Sequence, residues 1–166
     1  GDGSYSEIDQ DGGGITGRGE HMIVGSTFLT YYLGDTSYGS SDQAYSNGYT
    51  IINSSEGNFI NQADLDHIGN ILYAHSTSGS NYRFSGFILG ENSATRTDYS
   101  NDHLDNEPSA FKVSPYNNTR IFVGTRNSKL LKVEDLDQIN QVWTDISGAS
   151  FLGSISDIEI GSKFFD

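Results

Sequence analysis

The chain contains no cysteine, two prolines and only nine lysine and arginine residues among 166. Without cysteine there is no disulfide scaffold, no thiolate zinc site and no cysteine nucleophile. Against the nine cations stand 22 aspartates and glutamates, a formal charge of −13. A nucleic-acid binder neutralises phosphates with a basic stripe, so that class is excluded and docking on anionic lipid is disfavoured. No apolar run approaches the roughly 18 residues of a membrane-spanning helix, so membrane insertion is not expected.

What is abundant is glycine and aromatics: 20 glycines, ten tyrosines and nine phenylalanines. They fall within a repeat. Three short apolar runs, Met22-Ile23-Val24-Gly25, Ile71-Leu72-Tyr73-Ala74 and Ile121-Phe122-Val123-Gly124, begin 49 and 50 positions apart. Each passes through a polar turn into a second run: Phe28 to Leu33, Tyr82 to Leu89, and Leu130 to Val133. Alternating segments precede the last two units, Ala63 to Asp66 and Ala110 to Val113, and a further copy spans Ile155 to Ile160. Aromatic runs close the units at Gly48 to Ile52 and Val142 to Ile146, with a weaker counterpart at Thr95 to Tyr99.

Period-two alternation, β-branched and aromatic enrichment and Gly/Asn/Ser turns all predict strands. No window carries a helical stripe; Val133 to Val142 has room for one short turn. Four strands (a, b, c, d) in about fifty residues match the spacing of a β-propeller blade, with an irregular β-sandwich as the competing architecture. The expected fold is all-β: a partial propeller with blade units near residues 5–52, 60–99 and 109–146 and the start of another at 155–166. Propellers close with about four to eight blades, so the remaining blades are expected from further chain or from other copies. Gly1 with no leader behind it, and an end straight after an alternating run, lead us to expect both termini to be cuts in a longer polypeptide.

The stretch Asn58 to Asp66 leading into Asn70-Ile71-Leu72-Tyr73-Ala74, and Asn118 to Thr125 taken with Val142-Trp143-Thr144-Asp145-Ile146, resemble the sialidase-like and sortilin-like repeat propellers (Asp-box, or BNR, type) of secreted and cell-surface bacterial proteins, those of Bacteroidetes in particular. The resemblance implies a ring of seven or more blades, a secreted or surface location and a ligand face over the central channel. This sequence departs from the Asp-box pattern: Ser41-Asp42 before Gly48-Tyr49-Thr50, and Asp137 before Val142-Trp143-Thr144, lack the full spacing. The box is a turn lock, so the fold expectation stands while transfer of enzymatic activity does not.

In an antiparallel blade the d-to-a and b-to-c loops share one end. On that end the candidate ligand residues are Phe28, His75, Asn81, Tyr82, Arg126 and Asn127 from b-to-c loops. From d-to-a loops come Asn58, Phe59, Asp102, His103, Asp105, Glu107 and Phe151. Aromatic rings beside amides and carboxylates suit sugars, whose C–H faces stack while their hydroxyls take hydrogen bonds. The densest acidic loop, with Asp98, Asp102 and Asp105, has oxygen ligands at a spacing that suits calcium; the competing reading is a solvated loop. Asp9 to Gly14 with Glu20 partly matches an EF-hand loop, and we read it as a glycine-rich loop. The four histidines are scattered and read as polar surface residues.

A sialidase-type glycosidase needs an arginine cluster, a Tyr/Glu pair and an acid; a xyloglucanase type needs two carboxylates across the cleft. Of Arg18, Arg83, Arg96, Arg120 and Arg126, only Arg126 falls on the ligand-end loops in this register, so no catalytic set assembles. The leading expectation is a non-catalytic binding or adhesion module for carbohydrate or surface protein. The alternatives are a fragment of a secreted glycoside hydrolase and a structural propeller in a surface assembly.

Overall fold

The computed structural model describes residues 5–8, 21–35, 48–90 and 92–161. Among them are twelve strands and no helix, hence no helix able to cross a membrane. The strands are β1 (Ser6–Ile8), β2 (His21–Gly25), β3 (Leu29–Asp35), β4 (Tyr49–Ser54), β5 (Ala63–Asp66), β6 (Ile71–His75), β7 (Phe84–Leu89), β8 (Ala94–Tyr99), β9 (Pro108–Val113), β10 (Ile121–Thr125), β11 (Leu130–Glu134) and β12 (Val142–Asp145). They form three four-stranded antiparallel sheets, β1–β4, β5–β8 and β9–β12, each a meander in chain order. The fifty-residue repeat is therefore one sheet per repeat.

Alternation along each strand explains the packing. Leu72 and Ala74 of β6, with Phe87 and Leu89 of β7, meet Ile23, Leu29, Tyr31, Leu33 and Ile51 of the first sheet. The opposite face of the same middle sheet presents Tyr73, Phe84 and Tyr99 to Phe111, Val113, Ile121, Val123, Leu131 and Val133 of the third. The middle sheet is thus covered on both faces by its sequence neighbours. Each buried side chain of this size contributes about 1.5–3 kcal/mol by leaving water.

The first strands of the sheets lie close together. The Tyr5 hydroxyl, just before β1, is 3.3 Å from Asp64 Oδ1 of β5, and β5 lies against β9, where Val113 N–H donates to Asp64 Oδ2 at 2.6 Å. These strands and Ser156-Asp157 enclose a polar groove of about 240 Å³. Burial raises the Asp64 carboxyl, while the Val113 N–H and Lys112 pull it back.

Several expectations need correction. The alternating run Ile155 to Ile160 is not a strand. A strand requires a ladder, and this run has isolated bonds instead: Ile155 N–H to Thr125 O, the Ser109 hydroxyl to Ile155 O and, just past its end, the Tyr116 hydroxyl to Gly161 O. Arg83 was expected in a strand but precedes β7 and lies in the β6–β7 loop. Phe28 stands outside β3, and the short β1 was not singled out by the repeat. The EF-hand-like stretch, Ser41-Asp42 and residues 162–166 lie outside the described residues.

Candidate functional site

The β2–β3, β6–β7 and β10–β11 hairpin loops and the segments joining one sheet to the next gather at one end, as the antiparallel topology requires. Backbone hydrogen bonds fasten them together. Phe28 N–H donates to Phe59 O, Leu29 N–H to Glu56 O, Gly57 N–H to Thr77 O and Arg126 N–H to Glu107 O. Segment 56–59 is consequently bonded to the hairpin loops of both the first and the middle sheet.

At its centre are two expected ligand residues, Phe28 and Phe59. Their rings meet edge to face, 5.7 Å between centroids and 87° between planes, and both are exposed (37% and 51%). Ile60 beside them is 59% exposed. Phe28 has φ +55°, a left-handed conformation that a bulky residue adopts only when its surroundings impose it, at a cost of about 1–3 kcal/mol. The Phe28–Phe59 backbone bond and ring contact are what impose it here.

Beneath the pair lies a polar lock. Asn58 Nδ2 donates to His75 Nδ1 at 3.0 Å, which puts the imidazole proton on Nε2. Asn61 Nδ2 donates to His75 O at 2.8 Å, and Asn61 Oδ1 accepts from Asn58 N–H at 3.0 Å. Gly57 makes the turn possible: its φ is +74°, and a Cβ there would fall 2.3 Å from Asn61 Oδ1. His75 is a correction. It was expected as an exposed ligand residue on a loop, but it ends β6 and is 1% exposed. Burial, aided by the positive charge of Arg126, lowers its pKa to about 4, so the ring is neutral at pH 7.

Beside the lock runs an ion-pair network that crosses between sheets. Glu56 accepts from Arg83 at 2.5 Å and from Arg96 at 2.7 Å, one on each carboxylate oxygen. Arg96 also bonds Asp98 at 2.6 Å, and the Ser85 hydroxyl donates to the same Asp98 oxygen at 2.5 Å. Burial alone would raise Asp98, but the Ser85 and Arg96 bonds outweigh it and hold the carboxyl below its usual value.

The third sheet carries a second group of expected residues. Arg126 pairs with Glu107 at 2.9 Å and Lys129 with Asp105 at 2.7 Å, while Asn127 Nδ2 donates to Asp105 at 3.1 Å. The Lys129 bond, first, holds Asp105 below its usual value despite some desolvation. Asp102 and His103 are exposed on the same loop. Phe151 is 43% exposed, on the segment after β12. Asn81 is exposed and bridged to Ser78, and Tyr82 packs partly against the core between the second and third sheets.

The structure does not bring the proposed calcium ligands together. Asp98 is a β8 residue committed to Ser85 and Arg96, Asp105 is committed to Lys129, and the described residues contain no cluster of three metal-ligating side chains. Sequence reasoning also missed Glu56, Asn61 and Arg83. Only the run Glu56-Gly57-Asn58 hinted at them, as a turn of unusual polarity. Comparison of the chain with protein-family models, with curated proteins and with solved structures gives no match.

Proposed function

We propose that the three sheets are successive blades of an incomplete β-propeller whose loop end binds a carbohydrate or protein ligand without catalysing a reaction, in a secreted or cell-surface setting. The propeller reading is supported by the one-sheet-per-repeat stacking and by the first strands gathered around a polar groove, as strands beside a central channel would be. Further blades, from more of this polypeptide or from other copies, complete the ring in this reading.

One observation carries the binding proposal: the exposed Phe28–Phe59 pair, kept at the surface by a backbone conformation that costs energy. A side chain held out of the core in this way, with Asn58 and the Glu56–Arg83 pair alongside, is a platform on which an apolar sugar face stacks while its hydroxyls are bonded. A glycan and surface-protein binding screen tests it. For a ligand so found, Phe59→Ala weakens binding by about 10-fold, taking the ~1–3 kcal/mol of an aromatic contact, while urea stability stays close to that of the wild type. Wild-type affinity in both Phe28→Ala and Phe59→Ala overturns the assignment.

A further inference from the structure

At the other end of the sheets, away from these loops, the second and third sheets diverge around a groove of about 680 Å³, within the size range of small-molecule sites. Gly86 opens it. A Cβ there would fall 3.0 Å from the Tyr73 ring and 3.2 Å from the Tyr99 ring, so the two phenols lie where a larger residue would stand. Ile71, Ile88 and Ile139 form apolar walls, and Ile88 and Ile139 are 50% and 93% exposed.

The polar lining has one sign. Asp66 and Asp137 supply its carboxylates, and no lysine, arginine or histidine lines it. Asp98 also borders it, but its carboxylate turns to the other face of β8, to Arg96 and Ser85. Asp137, in the turn between β11 and β12, is exposed and accepts from its neighbour Gln138. Tyr73 supplies an independent sign of a ligand. Other interior tyrosines are tied: Tyr99 donates to Leu136 O, Tyr31 to Asn61 O and Tyr49 to Gly90 O and Ser93 O. Tyr73 is 1% exposed and makes ring contacts only, its hydroxyl having no hydrogen-bond partner among the described residues. Burial raises this phenol, with Tyr99, Asp66 and Asp137 adding to the effect, so its oxygen lies within the field of the groove carboxylates.

We infer that this groove binds an aliphatic ammonium ion, its alkyl stem along Ile71, Ile88 and Ile139 and its charged head between the Asp137 carboxylate and the Tyr73 hydroxyl oxygen. The ammonium donates to both oxygens, and the phenol proton remains free to bond a second polar group of the ligand. The apolar walls discriminate against inorganic cations, and the carboxylates against acids.

The probe is 1,5-diaminopentane, followed by backbone amide NMR shifts and calorimetry, beside 1,5-pentanediol of the same length and no charge. The diamine is expected to bind saturably, with shifts centred on residues 71–73, 86–88 and 136–139 and with affinity falling as salt is added. Asp137→Asn weakens it about five-fold. Tyr73→Phe weakens it about three-fold without loss of stability, because the lost hydroxyl had no partner. Glu159→Gln, which removes an equal charge elsewhere on the surface, leaves it unchanged. Equal binding of the diol, equal weakening by Glu159→Gln, or no saturation at millimolar diamine overturns the inference.

Discussion

The middle sheet makes two interfaces, and they are built from different chemistry. Toward the first sheet it presents Ala63, Leu65, Leu72, Ala74, Phe87 and Leu89 to a mainly aliphatic surface, and the Tyr49 hydroxyl closes the rim on Gly90 O and Ser93 O. Toward the third sheet it presents Tyr73, Phe84 and Tyr99, and the alternate residues Asp64 and Asp66 of β5 and His75 of β6 fall on that same side of their strands. Aliphatic groups interlock without directional demands. Rings and buried polar groups need particular partners, and where those are lacking the sheets part into a groove. One sheet thus has a mainly aliphatic face, edged by the Arg96–Asp98 pair, and a face of rings and buried polar groups.

The largest test of this difference is Phe84→Ala. Phe84 touches Tyr73, Tyr99, Phe111 and Trp143, with centroids 5.0–6.3 Å apart, and is fully buried. Its truncation is expected to cost about 3–5 kcal/mol in urea denaturation. Hydrogen exchange should rise in β9–β12 well before it rises in β1–β4. Equal deprotection of the outer sheets would remove the contrast.

Acid gives the next largest effect. The folded chain holds His75 near pKa 4, whereas the unfolded chain takes up that proton below about 6.5. The unfolded state therefore binds more protons between pH 6.5 and 4, and stability falls as pH drops through that window, by about 3 kcal/mol for this group. Stability measured against pH should show this slope in the wild type and a shallower one in His75→Gln. Parallel slopes would show that the imidazole is not excluded from charging. The smallest effect belongs to the rim of the aliphatic interface: Tyr49→Phe loses the bonds to Gly90 and Ser93 and about 1 kcal/mol, with the acid slope unchanged.

Much of the fold was legible because its rule is local. Ile121 and Val123 alternate with Phe122 and Gly124, and Leu131 and Val133 with Lys132, which is enough to define strands and one core face. The site was less legible because its rules are not local. His75 begins a run, His-Ser-Thr-Ser, that reads as an exposed turn; it is buried because Asn58 and Asn61, 17 and 14 residues earlier, fold over it. The Glu56 pairs span 27 and 40 residues, and no pattern in the sequence joins them. Alternation at Ile155 to Ile160 reads as a strand, but alternation cannot supply a ladder partner, and the run is not one. The Phe28 backbone is equally silent in sequence, since it is imposed by Phe59.

The fastening of hairpin loops by later segments has a consequence in time. Leu29 waits for Glu56, Phe28 for Phe59 and Thr125 for Ile155, each partner 27 to 31 residues downstream. At ~5–20 residues per second of synthesis, the delay is roughly one to six seconds. The first and third units therefore emerge from the ribosome with an unfinished tip that a later segment completes, whereas the middle tip finds its partner, Gly57, already made. Assembly acquires a direction, from the first sheet to the last, and the aromatic platform comes into being only when the second unit has begun to arrive.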